Sequence, residues 1–124
     1  MAHDYMIFIM ERVSDFTNFT LEQEAALGAR HGEFVRKVRA AGGEILAGDP
    51  LENPRPLSRF TPQPDGTVLA TDGPFAESNE VVLGYYKLRA ENDEQAREFA
   101  ALCPTARFVE LRRVYADGAT ITER

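Results

Sequence analysis

Apolar residues in this chain come in short blocks set between polar or proline-rich connections, and the period of each block predicts its element. Tyr5-Met6-Ile7-Phe8-Ile9-Met10 is an unbroken apolar run, the pattern of a strand covered on both faces. Thr20-Leu21-Glu22-Gln23 has the spacing of a capping box: the Thr20 hydroxyl accepts from the third helical N–H while Gln23 reaches back. The helix that follows runs to about Ala41, where Gly42-Gly43 supplies its C-terminal cap. Leu27, His31, Phe34, Val35 and Val38 fall on one face of it. Glu44 to Gly48 reads as a second strand, ended by Asp49-Pro50.

Prolines at 50, 54, 56, 62 and 64 exclude a helix from the next segment. Within it, Arg59-Phe60-Thr61 and Val68-Leu69-Ala70 flank the turn signal Pro64-Asp65-Gly66, which predicts a β-hairpin. Val81 to Arg89 is a further strand, and Gly84 marks a place where something approaches closely. Asn92 caps a second helix, with Ala96, Phe99, Ala100 and Cys103 at helical spacing and Pro104 at its end. Phe108 to Tyr115 is the last strand, and the polar tail from Ala116 is expected to fray.

The order β, α, β, hairpin, β, α, β over one 124-residue domain predicts an α+β fold with helices on one face of a mainly antiparallel sheet. A ferredoxin-like βαββαβ unit with an inserted β-hairpin is the simplest fit. Such a sheet has a second face, yet Val81, Leu83 and Tyr85 alternate with Val82, Gly84 and Tyr86, apolar on both sides. A second copy of the chain, sheet against sheet, is the expected cover, so a homodimer is predicted.

Charge and cysteine usage narrow the function. Fourteen basic residues against 20 acidic ones leave a net charge of −6, which argues against a nucleic-acid partner. No apolar run reaches the ~18 residues of a membrane span, and the N-terminal residues lack a secretory pattern. The single Cys103 cannot form an internal disulfide and reads as a buried thiol; a reducing cytoplasm is the expected home. Phosphate loops, dinucleotide fingerprints and the serine-hydrolase elbow are missing, and no cofactor is expected. Two histidines without a cysteine pair make a metal site a weak reading.

Among candidate residues His31 is the sharpest, a titratable group on an apolar helix face that looks toward strand-end carboxylates. A carboxylate on one ring nitrogen would leave the other free as a base; the alternative is a histidine satisfied in the core. Asp72 and Asp49, at strand ends, are the candidate acidic partners. Asp72 opens Asp72-Gly73-Pro74-Phe75-Ala76-Glu77-Ser78-Asn79-Glu80, a rigid turn that gathers acids beside a strand end. Asp49, Arg59, Phe75 and Glu77 are the candidate substrate contacts; Arg59 suits an anionic group, with a surface ion pair as its alternative. Tyr85-Tyr86 reads as core, with one hydroxyl able to face a cleft.

The Asp72-to-Glu77 motif, with Glu80 and Leu83-Gly84-Tyr85-Tyr86 after it, resembles the DGPF-type members of the YCII-related family. The resemblance extends to the opening strand, to Arg39-Ala40-Ala41-Gly42, and to Ala101-Leu102-Cys103-Pro104 with Val109-Glu110-Leu111-Arg112. It implies a dimeric α+β barrel of ferredoxin-like protomers. It also implies a cleft with a His-Asp pair, for which His31 and Asp72 match best and Asp49 second. A few such relatives are lyases on chlorinated aromatic rings, and many are encoded beside alternative sigma factors. Two departures stand out: many DGPF-type proteins lack this histidine, and Asn79 replaces a usual lysine or arginine. Two functions are therefore expected to compete. One is a lyase- or isomerase-like enzyme on a small aromatic or oxygenated molecule; the other is a non-catalytic ligand-binding or regulatory dimer.

Overall fold

The computed structural model describes residues 2–12, 20–51, 58–72 and 80–115. Its elements are β1 (His3–Arg12), α1 (Leu21–Ala40), β2 (Glu44–Pro50), β3 (Ser58–Pro62), β4 (Val68–Asp72), β5 (Glu80–Ala90), α2 (Asp93–Leu102) and β6 (Phe108–Arg113). Four strands form an antiparallel sheet in the order β2-β5-β1-β6, and β3 and β4 pair as a separate two-stranded ribbon. The fold class is α+β, as the order of elements predicts.

The helices begin where their caps say. Gln23 N–H donates to Thr20 Oγ1 at 3.1 Å and Thr20 N–H to Gln23 Oε1 at 2.8 Å, the expected box. Gln95 N–H donates to Asn92 Oδ1 at 2.8 Å and opens α2 in the same way. At the far end of α1, Gly42 turns to φ 89°, and Gly43 N–H reaches back to the Val38 carbonyl at 2.9 Å. Gly43 must stay small, because a Cβ there would lie 2.5 Å from the Phe99 ring.

Cross-strand pairing sorts the sheet into two unlike faces. Tyr5, Ile7 and Ile9 of β1 and Leu88 and Ala90 of β5 are buried beneath Phe34 and Val38 of α1 and Ala96, Phe99 and Ala100 of α2. Each large side chain so buried stabilises the fold by roughly 1.5–3 kcal/mol. On the other face Met6, Phe8 and Met10 are only half-buried. The expectation of a first strand covered on both sides therefore holds for one side of the protomer only, since both helices pack on the same face.

Other departures are small and have local causes. β2 continues through Asp49-Pro50, because an edge strand tolerates a residue without an N–H. Pro50 stands opposite Gly84, where a Cβ would lie 3.1 Å from the Asp49 carbonyl; this is the close approach that Gly84 signals. β6 ends at Arg113 rather than Tyr115, with Val114 N–H still donating to the Asp4 carbonyl at 2.9 Å. The ribbon turns at Asp65-Gly66, with Gly66 at φ 89° and the Asp65 carboxylate accepting from Thr67.

Candidate functional site

His31 sits in the third turn of α1, half-buried, on the stripe that carries Phe34 and Val38 into the core. Its Nδ1 lies 2.7 Å from the hydroxyl oxygen of Tyr86 on β5. Strand alternation places Tyr86 on the helix-facing side, opposite Ile7 of β1 and Gly48 of β2. Gly48 makes the room: a Cβ there would come within 2.7 Å of Tyr86 Cδ1. The Tyr86 ring is then held between His31, with centroids 5.7 Å apart, and Phe34, at 4.8 Å. Gly48→Ala is expected to push that ring aside and break the His31 contact at a cost of about 1–3 kcal/mol. Imidazole NMR resonances that stay at their wild-type positions in this variant would contradict the packing described.

Burial first, and then the neighbouring Arg30 charge, hold His31 below the ordinary imidazole value of 6.5. Burial likewise pushes Tyr86 up to about 12 and the Cys103 thiol up to about 12. At neutral pH the pair is thus a neutral imidazole and an intact phenol, and Cys103 is a buried, protonated thiol. Below pH 6.5 the unfolded chain takes up a proton at His31 that the folded chain resists. Stability present above that pH is lost as pH falls toward the folded value. Denaturant midpoints measured between about pH 7.5 and 5 should fall less steeply in His31→Gln than in wild type.

The acidic candidates lie elsewhere. Asp49 is opposite Tyr85, on the sheet face away from the helices, and accepts from the Tyr85 hydroxyl at 2.5 Å. Asp72 closes β4 in the ribbon and accepts from Ser58 Oγ at 2.9 Å. The structure therefore brings His31 together with Tyr86 and joins it by a hydrogen bond to neither Asp72 nor Asp49. Arg59 stands on β3 opposite Thr71, and Phe75 and Glu77 lie outside the described residues. Glu80, at the far end of the motif, is 3.7 Å from Arg107.

Two features escaped the sequence reading. Tyr86 as the partner of His31 was legible in part, since it shares the buried parity of Leu88 and faces a glycine in β2. Glu11 is the other. It continues the buried alternation Tyr5, Ile7, Ile9, and its Oε2 accepts from Ala106 N–H at 3.0 Å and the Thr105 hydroxyl at 3.3 Å. Its Oε1 is buried with no partner.

Among the described residues no group of three or more His, Cys, Asp or Glu side chains could hold a metal ion. Nor is any described helix long and apolar enough to cross a membrane. A search of curated proteins finds no match to the chain. The profile of the YCII-related domain matches residues 4–116, and with that span, nearly the whole chain, the protein belongs to the YCII-related family.

Proposed function

We propose that this protein is a homodimer that binds a small molecule beside His31 and moves a proton there, in a lyase- or isomerase-like reaction. The observation that carries the reading is the His31–Tyr86 pair: a half-buried, neutral imidazole with one ring nitrogen already engaged. When Nδ1–H donates to the phenol oxygen, Nε2 keeps its lone pair and can accept a proton from a bound ligand. Tyr86 stays protonated and orients the ring without adding charge. The imidazolium so formed lies in an environment that disfavours it, so it returns the proton readily. In this reading Tyr86 does what a carboxylate does in a His-Asp pair.

The dimer is supported by the uncovered sheet face, where Met6, Phe8, Met10, Val82 and Tyr85 form an apolar surface. The ribbon adds Phe60 and Val68, which are 67% and 58% exposed and lie on one of its faces. An isolated two-stranded ribbon is marginal without such cover. The strand order β2-β5-β1-β6 supports a ferredoxin-like protomer with β3–β4 inserted, and two such sheets face to face make an α+β barrel. A reduced, buried Cys103 suits a cytoplasmic setting.

A thermal-shift screen with small aromatic and oxygenated acids, alcohols and ketones tests the binding step. A ligand at a hundredfold its dissociation constant adds about 2.7 kcal/mol of stability. At least one compound should stabilise wild type and bind His31→Gln at least tenfold more weakly. Equal shifts in both proteins, or no shift in wild type, would contradict the reading.

A further inference from the structure

The sheet face turned away from the helices carries its charges in rows. Residues directly opposite in an antiparallel ladder point to the same face, so pairing sets Asp49, Tyr85, Phe8 and Glu110 side by side across β2, β5, β1 and β6. The next row along the strands holds Ala47, Lys87, Met6 and Arg112. One row is acidic at both ends around an aromatic pair, and the other carries two cations around Met6. We infer that these rows set the register of the proposed homodimer: the acidic row of one copy lies over the basic row of the second, with Glu110 against Arg112 of the second copy. The inference rests on the reading of this face as the dimer interface, and adds which way round the second copy lies.

Charge left unpaired within the protomer carries the assignment. Beyond the basic row, Arg89 is bonded inside the chain to Asp4 at 2.9 Å and lies 3.4 Å from Glu44. In the two rows themselves, Lys87, Glu110 and Arg112 form no ion pair among the described residues, although they share one face. Asp49 accepts from the Tyr85 hydroxyl. Opposite charges one row apart, unpaired in the protomer, are what a two-fold copy can answer, because each contact made once is made again by symmetry.

Two ways of laying the copies face to face differ in charge. With the two-fold axis along the strands, β6 of one copy covers β2 of the other, and Glu110 comes over Asp49, like on like. With the axis across the strands and between the two rows, β6 covers β6 and β1 covers β1. Glu110 then comes over Arg112 twice and Phe8 over Met6 twice, so the apolar centre closes while the charged edges pair. Edge charges of this kind add little affinity, but they reject the wrong register.

Two charge-reversed chains test the register. In Glu110→Arg, positions 110 and 112 are both cationic; in Arg112→Glu, both are anionic. Each alone sets like charges together at both contacts and should weaken its homodimer by about tenfold or more. Mixed in equal amounts, the two should form a heterodimer about tenfold tighter than either homodimer, enriched in native mass spectra beyond the statistical proportion. Added salt should reduce that preference. Both variants keep a net negative charge, so attraction between whole chains does not explain it. The chain carrying both changes should dimerise like wild type, a reading that needs no mixing. Both positions are exposed on an edge strand, so circular dichroism should stay that of wild type. A wild-type chain that is monomeric at micromolar concentration would overturn the homodimer and this register together. A dimeric wild type whose variants dimerise as tightly as it does, or mix only statistically, would overturn the register and leave the homodimer standing.

Discussion

Phe8→Lys is expected to turn the proposed dimer into a monomer. Wild type should sediment at about twice the 13.9 kDa chain mass, and the variant at that mass itself, at micromolar concentrations. Phe8 is central to the apolar sheet face, between Met6 and Met10 on β1 and opposite Tyr85 on β5. A two-fold axis through that face would bring both copies of position 8 into the interface. An ammonium group taken from water into an apolar interface costs several kcal/mol unless it finds a partner. Two of them should weaken the dimer on the order of a hundredfold or more, about 2.7 kcal/mol in free energy. The protomer should still fold, because Phe8 is half-buried only; even paired with Glu110, directly across the β1–β6 ladder, the new charge would be desolvated in the interface and lose more there than the pair returns. Circular dichroism unchanged with the mass halved is the expected pair of results. A variant that remains a dimer would place the interface elsewhere.

The second large effect is on stability. Phe34→Ala should destabilise the fold by about 3–5 kcal/mol, the usual cost of removing a phenyl ring from a closed core. Phe34 is 1% exposed and packs at 4.8 Å on Tyr86. The loss should therefore reach beyond stability. Without Phe34 the Tyr86 ring is held from one side only, and the hydrogen bond to His31 should weaken with it. Phe34→Leu tells the two effects apart: it refills most of the volume but lacks the flat ring that fixes Tyr86. It should recover much of the stability, as measured by urea unfolding, while the His31 resonances still differ from wild type. A change below about 1 kcal/mol in Phe34→Ala would show that this core is not closed around the ring.

Much of this architecture could be read from the chain because its signals are local. The capping box at Thr20, the glycine at 42, the cap at Asn92 and the Asp65-Gly66 turn act over three or four residues, and each element begins or ends there. The identity of the imidazole's partner was less legible. His31 and Tyr86 are 55 positions apart, and what joins them is the register that sets Tyr86 against Gly48. A one-residue slip would have put Tyr85 on that face instead. The same parity sends Asp49 to the opposite face, which strand-end proximity alone could not show. Glu11 was hidden for a related reason: a carboxylate at the end of an apolar alternation looks like a strand terminus until the chain near Ala106 folds back over it.

The proposed role of His31 is to move a proton on a bound small molecule. Its most direct test is to incubate the protein with a small-metabolite extract in heavy water and follow the masses of the compounds with time. Wild type should introduce deuterium into at least one compound, or convert it, and His31→Gln should do so more slowly by about 10²–10⁴-fold, the usual contribution of a general base. Equal rates for the two proteins, or an extract whose masses wild type leaves unchanged, would contradict it.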